Sequence, residues 1–331
     1  MNNRRKICAS CHAKVNNAKK RCPNCSAHFT PPNNNRAFLA EIRKAGSGGT
    51  VSEKLRHYIQ TGVDVNTLSR QYNPRTGLMQ AASVGNHHIV QFLIGLPAID
   101  INQHTEMGST ALSIAASGGH RHCVSLLLAT PGIAVNHQNI HGTTALMASI
   151  HPGRTAVVQC LLQYPGINVN IQDHHGQTAL MIAAGLYRPI TIVTMVRWHL
   201  GQVALGRNPR IDVNLQNDSG ATALMRAVTY NKPENVRALL ALPELNIVCM
   251  DNDGNTALTI PLVQKAAQEL LRSWHRRITS KLQRWRYITR RKRRNREKGL
   301  AGFVSRKKNQ PPGIERHQKG FLHHSFLKLR F

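Results

Sequence analysis

Acidic and aromatic residues are scarce in this chain of 331 residues. Fifteen Asp and Glu stand against 44 Lys and Arg, which gives a formal charge of +29 at pH 7, and aromatic residues make up only 5%. Because the acids are few and scattered, the sequence offers no carboxylate arrangement suited to general acid–base catalysis. The shortage of aromatic side chains favours Ala, Leu and Val packing between short helices over one large globular core.

Signatures of several other protein classes are missing as well. No N-terminal apolar run resembles a signal peptide, so we expect an intracellular protein, cytoplasmic or nuclear. The glycine-rich run 46–49 is not followed by Lys-Ser/Thr, as a phosphate-binding loop requires, and no Ser or Cys lies in a nucleophile elbow. The sequence therefore predicts a protein that is not an enzyme.

Leucine recurs at a fixed interval through the middle of the chain. The interval is 34 residues, with one step of 44 that locates an insertion. The leucines are Leu78, Leu112, Leu146, Leu180, Leu224 and Leu258. Asparagine keeps the same interval at Asn102, Asn136, Asn170 and Asn214. Such a period is typical of a repeat array, and arrays bind partners more often than they catalyse reactions.

The residues from Gly108 to Gly142 predict how each copy folds. Thr110 is a good N-cap for a short helix, and a Gly-Gly pair at 118–119 allows a tight reversal into a second helix. Pro131-Gly132 ends the second helix, and a polar hairpin follows. One such helix pair cannot bury its apolar face alone, so successive pairs must stack.

These units resemble ankyrin repeats. The helix opening of that family, Thr-Pro-Leu-His, is answered by Thr-Ala-Leu at five places, and residues 62–66 match the family's Gly-Ala-Asp-Val-Asn. The five openings begin at Thr110, Thr144, Thr178, Thr222 and Thr256. The resemblance implies a mainly α solenoid of about six repeats plus a degenerate cap over residues 36–271, after a linker at 31–35. It also implies a scaffold that binds a protein through its hairpin tips and inner helices.

Both ends of the array depart from the repeat pattern. Residues 38–66 fit a divergent first repeat. In the last copy, Pro261 replaces a small helical residue, and a proline inside a helix removes a hydrogen bond and clashes with the preceding turn. We therefore expect the first helix of the last repeat to stop early and a new helix to begin near Pro261.

The predicted hairpin tips carry a group of histidines. They are His104, His137, His141, His174 and His175. The scaffold fixes the tips while their side chains vary, so these histidines are candidate partner contacts, or else variable residues that face solvent. Tips one repeat apart lie roughly 10 Å from each other, too far for a ready-made shared metal site.

The ten-residue insertion falls within residues 197–208. Trp198 and the aliphatic residues after it suggest a partner-specific knob that projects from the framework, and a tolerated loop is the alternative. Just before it, the apolar stretch 179–196 is about long enough to span a bilayer. Arg188-Pro189 interrupts that stretch where every other copy turns, so we predict two buried helices and no transmembrane segment.

Four cysteines near the N-terminus have the spacing of metal ligands. Cys8 and Cys11 form one Cys-x-x-Cys pair, and Cys22 and Cys25 form another ten residues later. Residues 1–30 thereby resemble a zinc ribbon in which one structural Zn²⁺ is held by four thiolates. Two disulfides or a redox pair are the alternatives, although the missing signal peptide argues against a secreted disulfide framework.

The excess positive charge lies in the two ends of the chain. Residues 37–271 contain 16 Lys and Arg against 13 acids, whereas residues 272–331 contain 20 against two. We expect this C-terminal segment to form a basic amphipathic helix and a partly disordered tail. A basic cluster consists of Arg290, Arg291, Lys292, Arg293 and Arg294. This cluster could bind nucleic acid, bind an anionic lipid surface or act as a nuclear import signal. The alternative is a solvated tail without a defined partner.

These features together predict a monomeric interaction scaffold. The repeats bind a protein partner, and the basic ends bring the scaffold to a polyanion. The alternative is a nucleic-acid-binding protein whose ribbon and tail make the primary contact, with the repeats recruiting a second partner.

The zinc prediction can be tested by metal analysis. The wild-type chain should carry one zinc ion, and Cys22→Ser should lose it because the site would have only three thiolates. Elemental analysis of both purified proteins measures this, and a wild-type protein without zinc would contradict the prediction.

Overall fold

The computed structural model describes residues 6–7, 14–15, 32–69, 74–151, 153–187, 189–206, 211–260 and 269–280. The chain divides into two compact units, residues 1–272 and 273–331. In the described part, two short strands, β1 (Lys6–Ile7) and β2 (Lys14–Val15), pair antiparallel with Lys6 opposite Val15. Helices account for most of the rest. The four predicted zinc ligands and the basic cluster 290–294 lie outside the described residues.

The described helices of the first unit form successive pairs. They are α1 (Pro32–Ala45), α2 (Glu53–Gln60), α3 (Gly77–Val84), α4 (His87–Ile94), α5 (Ala111–Gly118), α6 (Arg121–Leu128), α7 (Ala145–Ile150), α8 (Thr155–Leu162), α9 (Ala179–Gly185), α10 (Pro189–Ala204), α11 (Ala223–Thr229) and α12 (Pro233–Leu239). Inner helices α1, α3, α5, α7, α9 and α11 stack in one layer, and outer helices α4, α6, α8, α10 and α12 stack in a second. The predicted helical solenoid is confirmed.

Threonine begins the inner helices for a local reason. The backbone N–H three residues later donates to each threonine hydroxyl, as from Ser113 to Thr110 Oγ1 at 3.3 Å. The same bond is made at Thr76, Thr144, Thr178 and Thr222. Each bond satisfies a backbone donor that the helix itself leaves unpaired, which is worth about 1 kcal/mol per helix.

The periodic apolar residues form the core. The leucines at 78, 112, 146, 180 and 224 are each 1% exposed, and the outer-helix residues at 90, 124, 158, 192 and 236 are fully buried. Burying a side chain of this size stabilises the fold by about 1.5–3 kcal/mol. Leu258 is only half-buried, since its repeat stands at the end of the array.

The periodic asparagines join each repeat to the next. Asn136 Nδ2 donates to Gly166 O at 2.8 Å, and the backbone N–H of Asn168 donates to Asn136 Oδ1 at 2.8 Å. Asn66, Asn102 and Asn214 make the same pair of bonds to the following hairpins. One side chain thus fixes both a donor and an acceptor of the neighbouring repeat, which explains why asparagine keeps the interval.

Glycine is required where one hairpin passes over the next. Gly142 has φ +74°, and a Cβ at this position would lie 2.7 Å from the backbone nitrogen of His174. Both the left-handed backbone and the close approach exclude larger residues. Hairpins therefore meet backbone to backbone, with the His174 N–H donating to His141 O at 3.1 Å.

The apolar stretch 179–196 is divided between α9 and α10, as predicted. Among the described residues, no helix is both long and apolar enough to cross a membrane.

The insertion does not project as a separate knob or loop where the structure describes it. Its residues up to Ala204 continue α10, which is 16 residues long where α8 has eight. In the earlier copies a proline follows the outer helix within a few residues, as Pro165 does after α8, whereas here the next proline is Pro209. Because that stop signal is delayed, the helix runs on.

The last repeat loses its first helix. Residues 257–259 form only a turn, which confirms the expected early stop before Pro261. The start of the helix expected near Pro261 lies outside the described residues, and residues 269–280 are helical.

Removing one asparagine should weaken the array measurably. Asn136→Ala deletes two bonds between repeats, so we expect the free energy of unfolding to fall by about 1–2 kcal/mol. Urea unfolding measures the change, with Gln91→Ala on the exposed side of α4 as the control, which should be nearly neutral. Equal stability of Asn136→Ala and wild type would contradict the proposed role of the asparagine bonds.

Candidate partner-binding face

An open groove runs along the inner helices. It encloses about 430 Å³ and is lined by residues of three successive repeats. The lining residues are Arg75, Ser83, Ser109, Ser113, Ile114, Ser117, Asn139, Thr143 and Ala148. Most of these are hydroxyl or amide side chains, whose donors and acceptors suit the backbone of a bound protein segment. This surface is called the groove below.

The hairpin tips form one wall of the groove. Successive tips are joined by backbone bonds, from Ile140 N to Met107 O at 3.2 Å and from Asp218 N to His175 O at 3.2 Å. Ser109, Asn139 and Thr143 extend from this wall into the groove. Because the tips are tied to each other, their side chains are presented on a fixed frame.

The five tip histidines divide into two groups. His141, His174 and His175 are exposed, and their side chains are available to a partner. His104 is exposed as well, whereas His137 is half-buried and bonds to the scaffold. His137 Nε2 donates to Gly108 O at 3.1 Å, and its ring stacks on that of His104 with centroids 5.4 Å apart.

Comparison between repeats explains the His104–His137 pair. Gln138 occupies the position of His104 one repeat later, and its Nε2 donates both to Gly142 O at 2.8 Å and to Gln172 O at 2.9 Å. Gln172 and Gln216 do the same in the next two copies. At the hairpin that contains His104, the corresponding carbonyl is that of Gly108, and His137 donates to it instead.

The exposed tips change chemically along the array. Met107 is 44% and Ile140 is 48% exposed at the N-terminal end. The exposed histidines follow, and Asp218 and Asp253 are exposed at the C-terminal end. At the first of these tips His104 and Glu106 are exposed beside Met107, so each tip offers a partner a different mixture of side chains.

Trp198 does not lie on the hairpin tips. It is half-buried on α10 and lines a second open cavity of about 420 Å³ between outer helices. The other lining residues are Gln159, Leu162, Gln163, Thr194 and Arg197. We call this cavity the α8/α10 pocket.

The sequence did not single out His199, which lies next to Trp198 in α10. It is 2% exposed, its Nδ1 accepts the backbone N–H of Ile211 at 3.1 Å, and its Nε2 lies 3.5 Å from Glu244 Oε2. The imidazole thereby connects the extended helix, the chain after the insertion and the next repeat. Helical spacing could have indicated that His199 is buried, because it follows the buried Met195 by four residues and so lies on the same face of the helix.

Three imidazoles meet where the outer helices begin. The ring of His87 lies 4.1 Å from that of His88 and 5.6 Å from that of His122, measured between centroids. Desolvation, together with repulsion from His88 and His122, lowers the pKa of His87 below its usual 6.5. Within the described ranges, no three His, Cys, Asp or Glu side chains are arranged to hold a metal ion.

Two family models match the array. One, described as ankyrin repeats in three copies, matches residues 44–139 and 131–203, and the other, ankyrin repeats in many copies, matches residues 205–260. The chain belongs to the ankyrin-repeat family. A comparison with curated proteins found no match.

Solved ankyrin domains share the fold of this ankyrin-repeat protein. The ankyrin repeat domain of Bcl-3, a member of the IkappaB protein family, is 20% identical, with a TM-score of 0.58 over 71% of this chain and 97% of that domain. The human ASB11 ankyrin repeat domain is also 20% identical, with a TM-score of 0.54 over 72% of this chain and 96% of that one. At this identity the likeness concerns the fold alone.

The imidazole cluster should make stability depend on pH. Because the pKa of His87 is lowered in the folded state, the unfolded chain binds more protons in acid. The contribution of neutral His87 to the free energy of unfolding is therefore fully present above about pH 6.5 and is lost as the pH falls below that value. His87→Gln should reduce the loss of stability between about pH 7.5 and 5.5, measured by urea unfolding.

His141→Gln, at an exposed tip outside the cluster, is the matched control. An unchanged pH dependence in His87→Gln would contradict the role assigned to the cluster.

Proposed function

We propose that this ankyrin-repeat protein is a non-enzymatic adaptor that binds a partner protein through the groove and the hairpin tips. The observation that carries the proposal is the groove itself, an open surface built jointly by three repeats. Arrays of this kind present extended concave surfaces on a rigid scaffold. Supporting bonds from the periodic asparagines keep the repeats at fixed spacing.

The chemistry of the groove favours recognition over catalysis. Its lining contains one charged side chain, Arg75, and no carboxylate, imidazole or thiol. The hydroxyls of Ser83, Ser117 and Thr143 provide both donors and acceptors. A partner segment is then held by hydrogen bonds along its backbone and by contact with Ile114.

The N-terminal module holds one structural zinc ion in this proposal. Cys8 and Cys11 fall within the six residues that connect β1 to β2, and a hairpin connection is a suitable place for a Cys-x-x-Cys knuckle. With Cys22 and Cys25 the donor set is four thiolates, which suits tetrahedral Zn²⁺. Four protein ligands complete the coordination, so the metal stabilises the module and does not act on a substrate.

The basic ends attract the adaptor to a polyanion. Residues 272–331 contain 20 Lys and Arg against two acids, including the five-residue run 290–294. Such a segment binds phosphates with little sequence preference and strong dependence on salt. Primary binding to nucleic acid through these ends, with the repeats recruiting a second partner, is the alternative function that the same charge supports.

A variant with a blocked groove distinguishes binding by the groove from binding by the basic ends. Ser117 is exposed in the groove, so Ser117→Arg should exclude the partner segment and lower recovery of groove-bound proteins about tenfold. Affinity capture with the full chain, followed by quantitative mass spectrometry and nucleic-acid analysis, measures the loss. Ser125→Arg on the exposed side of α6 adds the same charge outside the groove and serves as the control.

The salt dependence of the capture distinguishes the two surfaces. Material held by the basic ends should be lost between about 50 and 200 mM salt, and proteins held by the groove should remain. Identical captured proteins with Ser117→Arg and Ser125→Arg would contradict groove binding. Identical material after deletion of residues 272–331 would contradict the role of the basic tail.

A further inference from the structure

The insertion builds a surface that the other repeats lack. The outer helix α8 ends at Leu162, whereas α10 continues for two more turns to Ala204. Arg197 and Trp198, the first residues of that extension, face Gln159, Leu162 and Gln163 across the α8/α10 pocket. The pocket is therefore a consequence of the delayed helix end.

The extension is fixed in place. His199, next to Trp198, is buried and accepts the backbone N–H of Ile211, and its Nε2 lies 3.5 Å from Glu244 of the following repeat. Helix α10 also packs against α8, α9 and α12. A surface held from both sides presents Arg197 and Trp198 in a defined position, so binding does not first have to order them.

The charge of the pocket is one-sided. Neither α8 nor α10 contains an acidic residue, and Arg197 is the only Lys or Arg on either helix. Arg197 is exposed, and in the described part of the chain it has no ion pair. An exposed guanidinium without a carboxylate partner is complementary to an anionic group.

The neutral part of the pocket suits a peptide. Trp198 is half-buried with no hydrogen bond from its indole N–H to any described residue, and Leu162 beneath it is 3% exposed. Gln159 on the last turn of α8 and Gln163, the residue after its end, are both exposed, and their amides can donate to and accept from a peptide backbone. Trp and Arg are the residues on which binding energy most often concentrates at protein interfaces.

We propose that the α8/α10 pocket is a second docking site, which binds a short acidic and apolar peptide segment of a partner protein. A carboxylate of the segment pairs with Arg197, and a neighbouring apolar side chain packs against Trp198 and Leu162. Gln159 and Gln163 bind the backbone between them. The site lies on the outer helices, so it is separate from the groove on the inner helices.

A displayed library of short random peptides provides the probe. Selection on the full chain at about 200 mM salt suppresses simple attraction to the basic tail. Counter-selection on Arg197→Glu, which carries the same tail, removes peptides that do not use the pocket. We expect the retained peptides to combine Asp or Glu with a large apolar residue.

Titration calorimetry with a retained peptide then measures each contact. Trp198→Ala and Arg197→Glu should each weaken binding about tenfold or more, and Trp198→Phe should restore part of the loss from truncation to Ala. Three controls should leave the affinity unchanged. They are Arg121→Glu on α6, Leu205→Ala at the exposed end of the insertion and Ser117→Arg in the groove.

Thermal unfolding of each variant confirms that it is folded. Arg197 is exposed and has no ion pair with any residue that the structure describes, so Arg197→Glu tests the site even if Trp198→Ala unfolds the repeat. Selection that yields no acidic and apolar peptides, or peptides that bind Arg197→Glu as tightly as wild type, would overturn the proposal. Because Ser117→Arg leaves this pocket intact, failure here is distinguishable from failure of groove binding.

Discussion

The hydrogen bonds of the periodic asparagines hold the array together. Asn136, for example, donates to one carbonyl of the next hairpin and accepts a hydrogen bond from one backbone N–H of that hairpin. Apolar burial alone drives helices together without fixing their height or rotation, because it has no direction. The paired amide bonds supply that direction, so successive repeats are held at the same spacing.

The surfaces proposed for binding depend on this regular spacing. The groove is lined by three repeats, so its shape depends on how they stack. Along the tips, a second set of inter-repeat bonds runs through Gln138, Gln172 and Gln216. Where this set is altered at His104, His137 of the following repeat donates to the glycine carbonyl instead. A neighbouring repeat thus makes the bond that the changed side chain does not make.

The insertion alters the outer layer without disturbing the inner one. Helices α9 and α11 stack as the other inner helices do. Helix α10, which lies between them in the sequence, is two turns longer than the preceding outer helix. His199 then connects the longer helix to the returning chain and to Glu244. The array thus has one surface lined by three successive repeats and another lined by a single modified repeat and its neighbour.

The repeat period by itself determined the stacked helix pairs, the buried leucines and the threonine caps, because each depends on contacts within one copy or between identical copies. It also showed that residues 179–196 are two helices. The delayed proline allows α10 to run on, and the tertiary structure decided how that extension is held, through contacts of His199 with Ile211 and Glu244. It likewise showed that His137 bonds to the preceding hairpin and stacks on His104. Those outcomes depend on which side chains meet between unlike copies, and a sequence interval carries no information about such meetings.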